Sequence, residues 1–414
     1  MDRDRTHFLL LNVGHFIDHL FTLIFATIAA LALIREWGLS YAELLAYATP
    51  GFFAFGLFAL PAGWIADKWS REGMMSVFFA GIGFSAIATG FAASPLQIGI
   101  GLFVIGIFAA IYHPVGLAIV TAKWKNTGMR IAVNGVFGNL GVASAALIAG
   151  YFIDNGGWRS AFIVPGIVSV ALGLVYTVLR WPEIAAPRAA PKPAAAAAPP
   201  ISADAKAMLL RVSVIVFLTT AVTSIIFQST TFALPKIFDE RLRGIAGTIA
   251  GMLSSGTAKT EVATVVGSFA FIVFTVASLA QLVVGKMLDI YGPRSVFMAV
   301  AAIQVVFFSA MPGLADSMAL AVALGFMLGA FGQIPINDYM IGKMSAGEFR
   351  ARVYGVRYVV SFTVLAAALP LIAFIHGRWG FDTLFMVLAG AALVTFVLVT
   401  RLPRTLPDPV SAMA

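Results

Sequence analysis

Stretches of about twenty predominantly apolar residues recur roughly twelve times along this chain, each long enough to cross the ~30 Å hydrocarbon core of a bilayer as a helix. By residue number they lie near 7–34, 43–66, 74–94, 96–122, 131–153, 159–181, 208–235, 262–288, 295–313, 317–342, 353–375 and 381–400. Backbone in hydrocarbon must satisfy its own hydrogen bonds, which restricts spanning structures to helices and closed barrels. No segment alternates at period two for long, so helices are expected. Composition agrees: the 414 residues are 60% hydrophobic and 11% charged, against about 25% charged in soluble domains. An ordinary soluble globular fold is excluded.

The first apolar run follows Arg3 and Arg5, as a secretory signal would. It outlasts the roughly 7–15-residue core of such signals and carries His15, Asp18 and His19, so it reads as a retained helix. Drawing the twelve helices alternately puts both termini on one side with a basic majority that includes Lys68, Arg71, Lys123, Arg130, Arg180, Lys286 and Arg294. Arg35, Arg159, Lys236, Arg241, Arg243, Lys259 and Arg378 fall on the other. The positive-inside rule makes the richer side cytoplasmic, in what reads as a bacterial inner membrane. The net charge of +8 therefore describes topology, and no nucleic-acid partner is expected. Cysteine is absent, which excludes disulfides, thiolate catalysis and Cys-ligated metals. No nucleotide-binding loop of the GxxxxGK[ST] type and no His/Glu metal spacing is read, so the expectation is a non-enzymatic monomer without cofactor or metal.

A signature then repeats half a chain apart. GWIADKWSR, from Gly63 to Arg71, returns in reduced form as GKMLDIYGPR, from Gly285 to Arg294. VNGV (Val133, Gly135, Val136) is matched by VYGV (Val353, Gly355, Val356), and Trp158 by Trp379, in the same order and at nearly the same spacing of about 220 residues. The expected fold class is an all-α membrane protein of twelve transmembrane helices in two pseudo-symmetric six-helix bundles, 1–181 and 208–414. The cytoplasmic segment 182–207 joins them, and its Pro/Ala-rich stretch from Ala186 to Pro200 suits a tether. The other long connection, Asp239 to Glu261, reads as a surface segment or an outer lid.

On these motifs the chain resembles the major facilitator superfamily over nearly its whole length. In that family the loop Asp and Arg form a charge network that steadies one face of an alternating-access cycle. Matched residue by residue, the resemblance assigns a conformational latch to Gly63, Asp67, Lys68 and Arg71, and to Gly285, Asp289 and Arg294. The first copy has Ser70 where the family usually has Gly. A solvated loop is the plainer reading of the same residues. GHFIDHLFTLIF (Gly14 to Phe25), IYHPVG (Ile111 to Gly116) and NGVFGNLG (Asn134 to Gly141) further resemble the fosmidomycin-resistance group, which implies proton-driven efflux of small, often anionic molecules.

Ionisable side chains inside a membrane helix cost several kcal/mol unless paired or wetted, so each is a candidate site. Asp18 and His113 both fall roughly 15 Å from the cytoplasmic face, near the midplane. They are the expected proton or substrate centre, with His15 on the face of Asp18 and His19 turned about 100° away. A hydrogen-bonded cluster that merely packs two helices is the alternative. Pro114 is expected to loosen its helix there. In the second half Asn337, Asp338 and Arg357 share a depth of roughly 8–10 Å, as an inner gate, a static pair, or an Arg357 anchor for an anion. Gln228, Gln281, Gln333, Asn134 and Asn139 are uncharged polar candidates for a cavity lining or for helix–helix contacts, and Tyr112, Tyr358 and Phe227 are candidate aromatic walls.

These residues point to a secondary active transporter of a small, possibly anionic organic molecule, with proton-coupled efflux by alternating access as the leading expectation. Its partners are the small-molecule substrate, protons and the lipid bilayer. A carboxylate uptake symporter or exchanger is the rival within the class, and a non-transporting membrane sensor or assembly factor the rival outside it.

Overall fold

The structure is a computed structural model and describes residues 3–124, 127–186, 203–253, 262–344 and 347–403. The described residues form helices joined by short turns. In chain order the helices are α1 (Arg3–Trp37), α2 (Tyr41–Lys68), α3 (Arg71–Gly90) and α4 (Pro95–Lys123). They continue as α5 (Thr127–Asn155), α6 (Trp158–Ala185), α7 (Ala203–Arg241) and α8 (Arg243–Leu253). The last three are α9 (Val262–Ala310), α10 (Asp316–Met344) and α11 (Gly347–Thr400).

Ten of the described helices are long and apolar enough to cross a membrane, where the apolar runs predict about twelve. The difference lies in two places. The runs near 262–288 and 295–313 join into α9, of 49 residues, and those near 353–375 and 381–400 into α11, of 54. In each, one residue leaves the helical path: Gly292 at φ 73°, ψ 162°, and Gly380 at φ 75°, ψ −175°. A side chain at positive φ is strained, which is why glycine stands at both turns. Each reversal falls in the short polar stretch, DIYGPR or HGRWGFD, that separates the apolar runs in the sequence, so the two long helices still break where those runs end. The Pro/Ala-rich stretch and 254–261 of the long connection lie outside the described residues, whereas the earlier part of that connection is the short helix α8.

The chain divides into two compact units: 1–189 with 231–275 and 369–377, and 190–230 with 276–368 and 378–414. In the first, α3 packs on α6, α1 on α5 and α2 on α4. Lipid is as apolar as leucine, so hydrophobicity does not press such helices together; close contact and interhelical hydrogen bonds do. The α2–α4 crossing is closest at Gly51 and Gly106, where a Cβ on Gly106 would run into the Gly51 carbonyl oxygen. Ser169 Oγ donates to the Phe79 carbonyl at 2.8 Å, fastening α6 to α3. Asp154 Oδ2 at the end of α5 accepts from the backbone N–H and hydroxyl of Thr264 at 2.6 and 2.5 Å. Serine caps start three helices: Ser40 with Glu43, Ser70 with the Gly73 N–H and Ser94 with the Gln97 N–H. In the second unit Val216, Val284, Leu288, Phe297, Ile336, Met340 and Val399 form one buried cluster.

A bulky residue at the tightest crossing tests the packing account. Gly106→Leu should destabilise the protein by about 1–3 kcal/mol and lower its thermal midpoint in detergent by several degrees; an unchanged midpoint would mean that α2 and α4 do not approach this closely.

Candidate functional site

Asp18 sits on α1 with none of its surface exposed. Neither carboxyl oxygen receives a hydrogen bond. The approach to it is made by His113 of α4, whose Nε2 lies 3.4 Å from Oδ2. A buried carboxylate without hydrogen bonds is costly, and a side chain of this kind marks a functional position more often than a packing one.

The imidazole of His113 is placed by a local irregularity. Pro114 has no N–H to give to the turn before it, and the helix widens into a π turn over Tyr112–Gly116. Pro114 thus does loosen the helix, in a form that turns both Tyr112 and His113 toward α1. A second π turn, Ala29–Leu33, interrupts α1 without any proline, and we have no physical account of it.

Around Asp18 the histidines form one cluster. His15 Nδ1 lies 2.8 Å from the backbone carbonyl of Asn134, which can only accept, so His15 carries its proton on Nδ1 when neutral. Its Nε2 lone pair then accepts from His19 Nε2–H at 3.1 Å. His15 and His19 meet because four residues separate them, the spacing of side chains one above the other on a helix. That spacing is visible in the sequence, although the motifs considered there held no metal pattern. The donor nitrogens of His15, His19 and His113 lie within 4.8 Å of one another, close enough for a transition ion to be held.

Tyr112 and Asn134 lock the cluster from beneath. The Tyr112 ring stacks on His15 at 4.7 Å, and its hydroxyl donates to the Leu11 carbonyl at 2.7 Å. The Asn134 amide donates to Tyr112 Oη at 2.8 Å and to Asn12 Oδ1 at 2.9 Å. Tyr112 and Asn134 are therefore supports of the histidines. Asn12 is an addition from the structure; a lone amide one turn before His15, in an otherwise apolar stretch, is its sequence signal. Asn139 is half-buried. Beside the cluster an apolar pocket is lined by Phe21, Phe25, Phe52, Phe55 and Leu102, and Phe55 meets the His113 ring edge-on at 6.0 Å.

The remaining candidates make the following contacts. Asn337 Nδ2 donates to Thr223 Oγ1 at 3.2 Å, and Gln333 Nε2 to the Thr223 carbonyl at 2.8 Å. Gln304 Nε2 donates to Gln333 Oε1 at 3.1 Å, so these amides join α7, α9 and α10. Thr223 and Gln304 carry no distinguishing sequence pattern. Asp338, Gln228 and Gln281 are partly buried. The side chains of Arg357 and Tyr358 lie outside the described residues. Of the latch residues, Asp67 pairs with Arg71 at 3.1 Å, both of them partly or fully open to solvent. Lys68 lies over the Trp64 ring, and Gly63 faces Pro114 of α4. Asp289 is exposed, Arg294 partly buried, and a Cβ on Gly285 would meet open space. Ser70 has a function of its own here, as the cap of α3.

A further charged cluster has no counterpart among the sequence motifs. Lys236, buried, lies 2.7 Å from Asp239 and 3.4 Å from Glu240, and Glu240 is 3.1 Å from His376 Nε2. Tyr41 presents its ring to His376 at 5.6 Å. His376 follows an apolar run at some distance from Glu240 in sequence, so only the packing of α11 beside α7 reveals the pair.

Comparison with known proteins adds the following. A family model described as Major Facilitator Superfamily matches residues 11–258 and 243–412. A probable sulfoacetate transporter of Cupriavidus necator is 29% identical over 153 residues, 36% of this chain and 35% of that one. A gallate transporter of Pseudomonas putida is 24% identical over 143 residues, 34% and 32% of the two. The match thus spans about a third of each curated relative. Among solved structures, a bacterial homologue of the human lysosomal transporter Spinster, inward-facing and unoccupied, aligns over 100% of this chain and 97% of that chain, with TM-score 0.68 and 13% identity. A peptide transporter crystallised with sulfate aligns over 96% and 95%, with TM-score 0.72 and 14% identity. At such identities the likeness is one of fold.

The supporting role of Tyr112 is testable. Tyr112→Phe keeps the stacking but leaves the buried Leu11 carbonyl and one Asn134 N–H without their partner, which should cost about 1–3 kcal/mol, read as a lower thermal midpoint in detergent.

Proposed function

Because the chain belongs to the Major Facilitator Superfamily, we propose that its buried Asp18 and His113 form the proton-coupling centre of a transporter for small organic anions. The chain is a multi-pass membrane protein of that superfamily, and secondary transport of a small organic molecule is the first part of the proposal. For its topology we take α9 and α11 to supply two spans each, on either side of Gly292 and Gly380. The twelve spans then form the six-helix bundles 1–181 and 208–414, with 182–207 as a cytoplasmic tether. Both termini are cytoplasmic, and the working unit is a monomer.

The observation that carries the reading is the 3.4 Å approach of His113 to a fully buried carboxyl that receives no hydrogen bond. A carboxyl in that position changes its preferred protonation when an imidazole or a wetted cavity comes to face it. His15 and His19, hydrogen-bonded to one another, bring their rings edge-on to His113 at 5.2 and 5.4 Å. The substrate's acidic group is supplied with a partner by Arg357. Sulfoacetate and gallate, named for the relatives, are both small organic acids. The latch proposed for Asp67, Lys68 and Arg71, with Gly63 allowing α2 close to Pro114, and for Gly285, Asp289 and Arg294, holds one conformation of the cycle. We favour export; uptake by symport or exchange is the second reading, and it makes Arg357 the first contact of the entering acid.

Two measurements decide. In proteoliposomes with labelled gallate or sulfoacetate and pH gradients of both signs, Asp18→Asn should abolish gradient-driven flux while retaining counterflow. Unchanged coupling in that variant removes Asp18 from the mechanism. Flux that disappears on adding a chelator would instead assign the imidazoles to a metal. The direction of concentrative flux separates export from uptake, and Arg357→Lys should weaken substrate affinity in either case.

Topology is open to a clean test because cysteine is absent. A single Asn155→Cys should react with an impermeant maleimide added outside whole cells, and Ala186→Cys only after the membrane is opened. The reverse pattern would invert the orientation.

A further inference from the structure

We propose that the pocket between α1 and the end of α6 binds a phosphate-type oxyanion, carried by an anionic phospholipid headgroup or by free phosphate. This pocket is distinct from the Asp18 centre and is independent of what the protein transports.

The pocket has a volume of about 260 Å³ and is lined by Arg3, Thr6, His7, Leu10, Leu179 and Arg180. At about 30 Å³ per water molecule this is space for several waters, and so for a tetrahedral oxyanion. Arg180 is 5% exposed. One of its nitrogens, Nη2, is held by Glu183 at 2.6 Å, while Nε has no hydrogen-bond partner at all. A buried guanidinium with an unsatisfied N–H is expensive. An oxyanion in the pocket removes that deficit.

The second guanidinium, Arg3, reaches in from the exposed start of α1 and anchors itself by one nitrogen to the Leu179 carbonyl at 3.3 Å. Its remaining N–H groups are available to the same ligand. His7 is held between Tyr176 Oη at 2.9 Å and Lys123 Nζ at 3.2 Å. The lysine cannot accept, so it donates to His7 Nδ1, and His7 Nε2–H faces the tyrosine. Lys123 also pairs with Asp4 at 3.0 Å. The charges around the pocket are thus Arg3, Arg180 and Lys123 on one side and Asp4, Glu183 and, near Tyr176, Glu72 on the other, and the unpartnered donor among them is Arg180 Nε. Two guanidinium groups converging on one pocket suit tetrahedral oxyanions, whose oxygens accept in parallel pairs.

The neighbourhood favours lipid among the two sources. Val178, Trp181 and Leu174 on α6 are exposed apolar side chains beside the buried Arg180. Acyl chains can follow that face while the headgroup enters the pocket, and a tryptophan at this level is typical of a membrane interface.

The test uses purified full-length protein, freed of lipid in detergent. Dioleoylphosphatidylglycerol, dioleoylphosphatidylcholine and inorganic phosphate are added separately, and bound molecules are counted by native mass spectrometry beside a thermal unfolding curve. Phosphatidylglycerol should bind and raise the midpoint, and phosphatidylcholine should do neither. Arg3→Gln and Arg180→Gln should each weaken phosphatidylglycerol about tenfold. If Arg180→Gln fails to fold, the exposed Arg3→Gln alone decides. Stabilisation by inorganic phosphate alone, lost in the same variants, assigns the site to free phosphate. Equal behaviour of the two lipids with no effect of phosphate, or a phosphatidylglycerol effect undiminished in the variants, overturns the proposal.

Discussion

A fully buried carboxyl group that no other side chain or backbone group hydrogen-bonds is the constraint to which the first unit of this protein is built. Removing Asp18 from water costs several kcal/mol, and that cost is tolerated only because the surrounding helices are held rigidly enough to keep His113 beside it. The rigidity has identifiable sources. The α1–α5 contact carries Asn134 to His15, and the α2–α4 contact at Gly51 and Gly106 holds α4 close behind the site. Tyr112, locked at its hydroxyl and stacked through its ring, then leaves His15 a single orientation.

The two units use polar groups differently. In the first, ionisable side chains gather in clusters around Asp18, Lys236 and Arg180. In the second, Gln304, Gln333, Asn337 and Thr223 satisfy one another between three helices without any charge. A neutral amide chain of this kind fixes helix register and is cheap to bury because nearly every donor finds an acceptor.

Much of this was legible in the sequence, for reasons that differ by level. Membrane crossing follows from the length of apolar runs, and the candidate centre from the rarity of Asp and His within them. Asp18 and His113 could be set at one depth by counting residues. The breaks at Gly292 and Gly380 fall in the polar stretches between apolar runs, whereas the narrowness of each turn, one glycine at positive φ inside a continuous helix, left no separate signal. The His15–Asn134 contact was hidden because its acceptor is a backbone carbonyl, which every residue carries. The partnership of Glu240 with His376 depends on which helices become neighbours, and residue type alone does not decide that.

The π turn at Tyr112–Gly116 sets the register of the whole of α4. A turn holding one surplus residue is equivalent to an insertion into an ordinary helix, and everything on one side of it is rotated by about 100° relative to the other. The segment from Pro95 can thus present Gly99 and Gly106 to α2, while the segment toward Lys123 presents its own set to α1. Deleting a single residue within 112–116 would convert the stretch to plain α-helix. Either the glycine seam or the imidazole would then face the wrong neighbour, although no functional side chain had been changed. That α4 presents its glycines to α2 and His113 to Asp18 of α1 at once rests on that one extra residue.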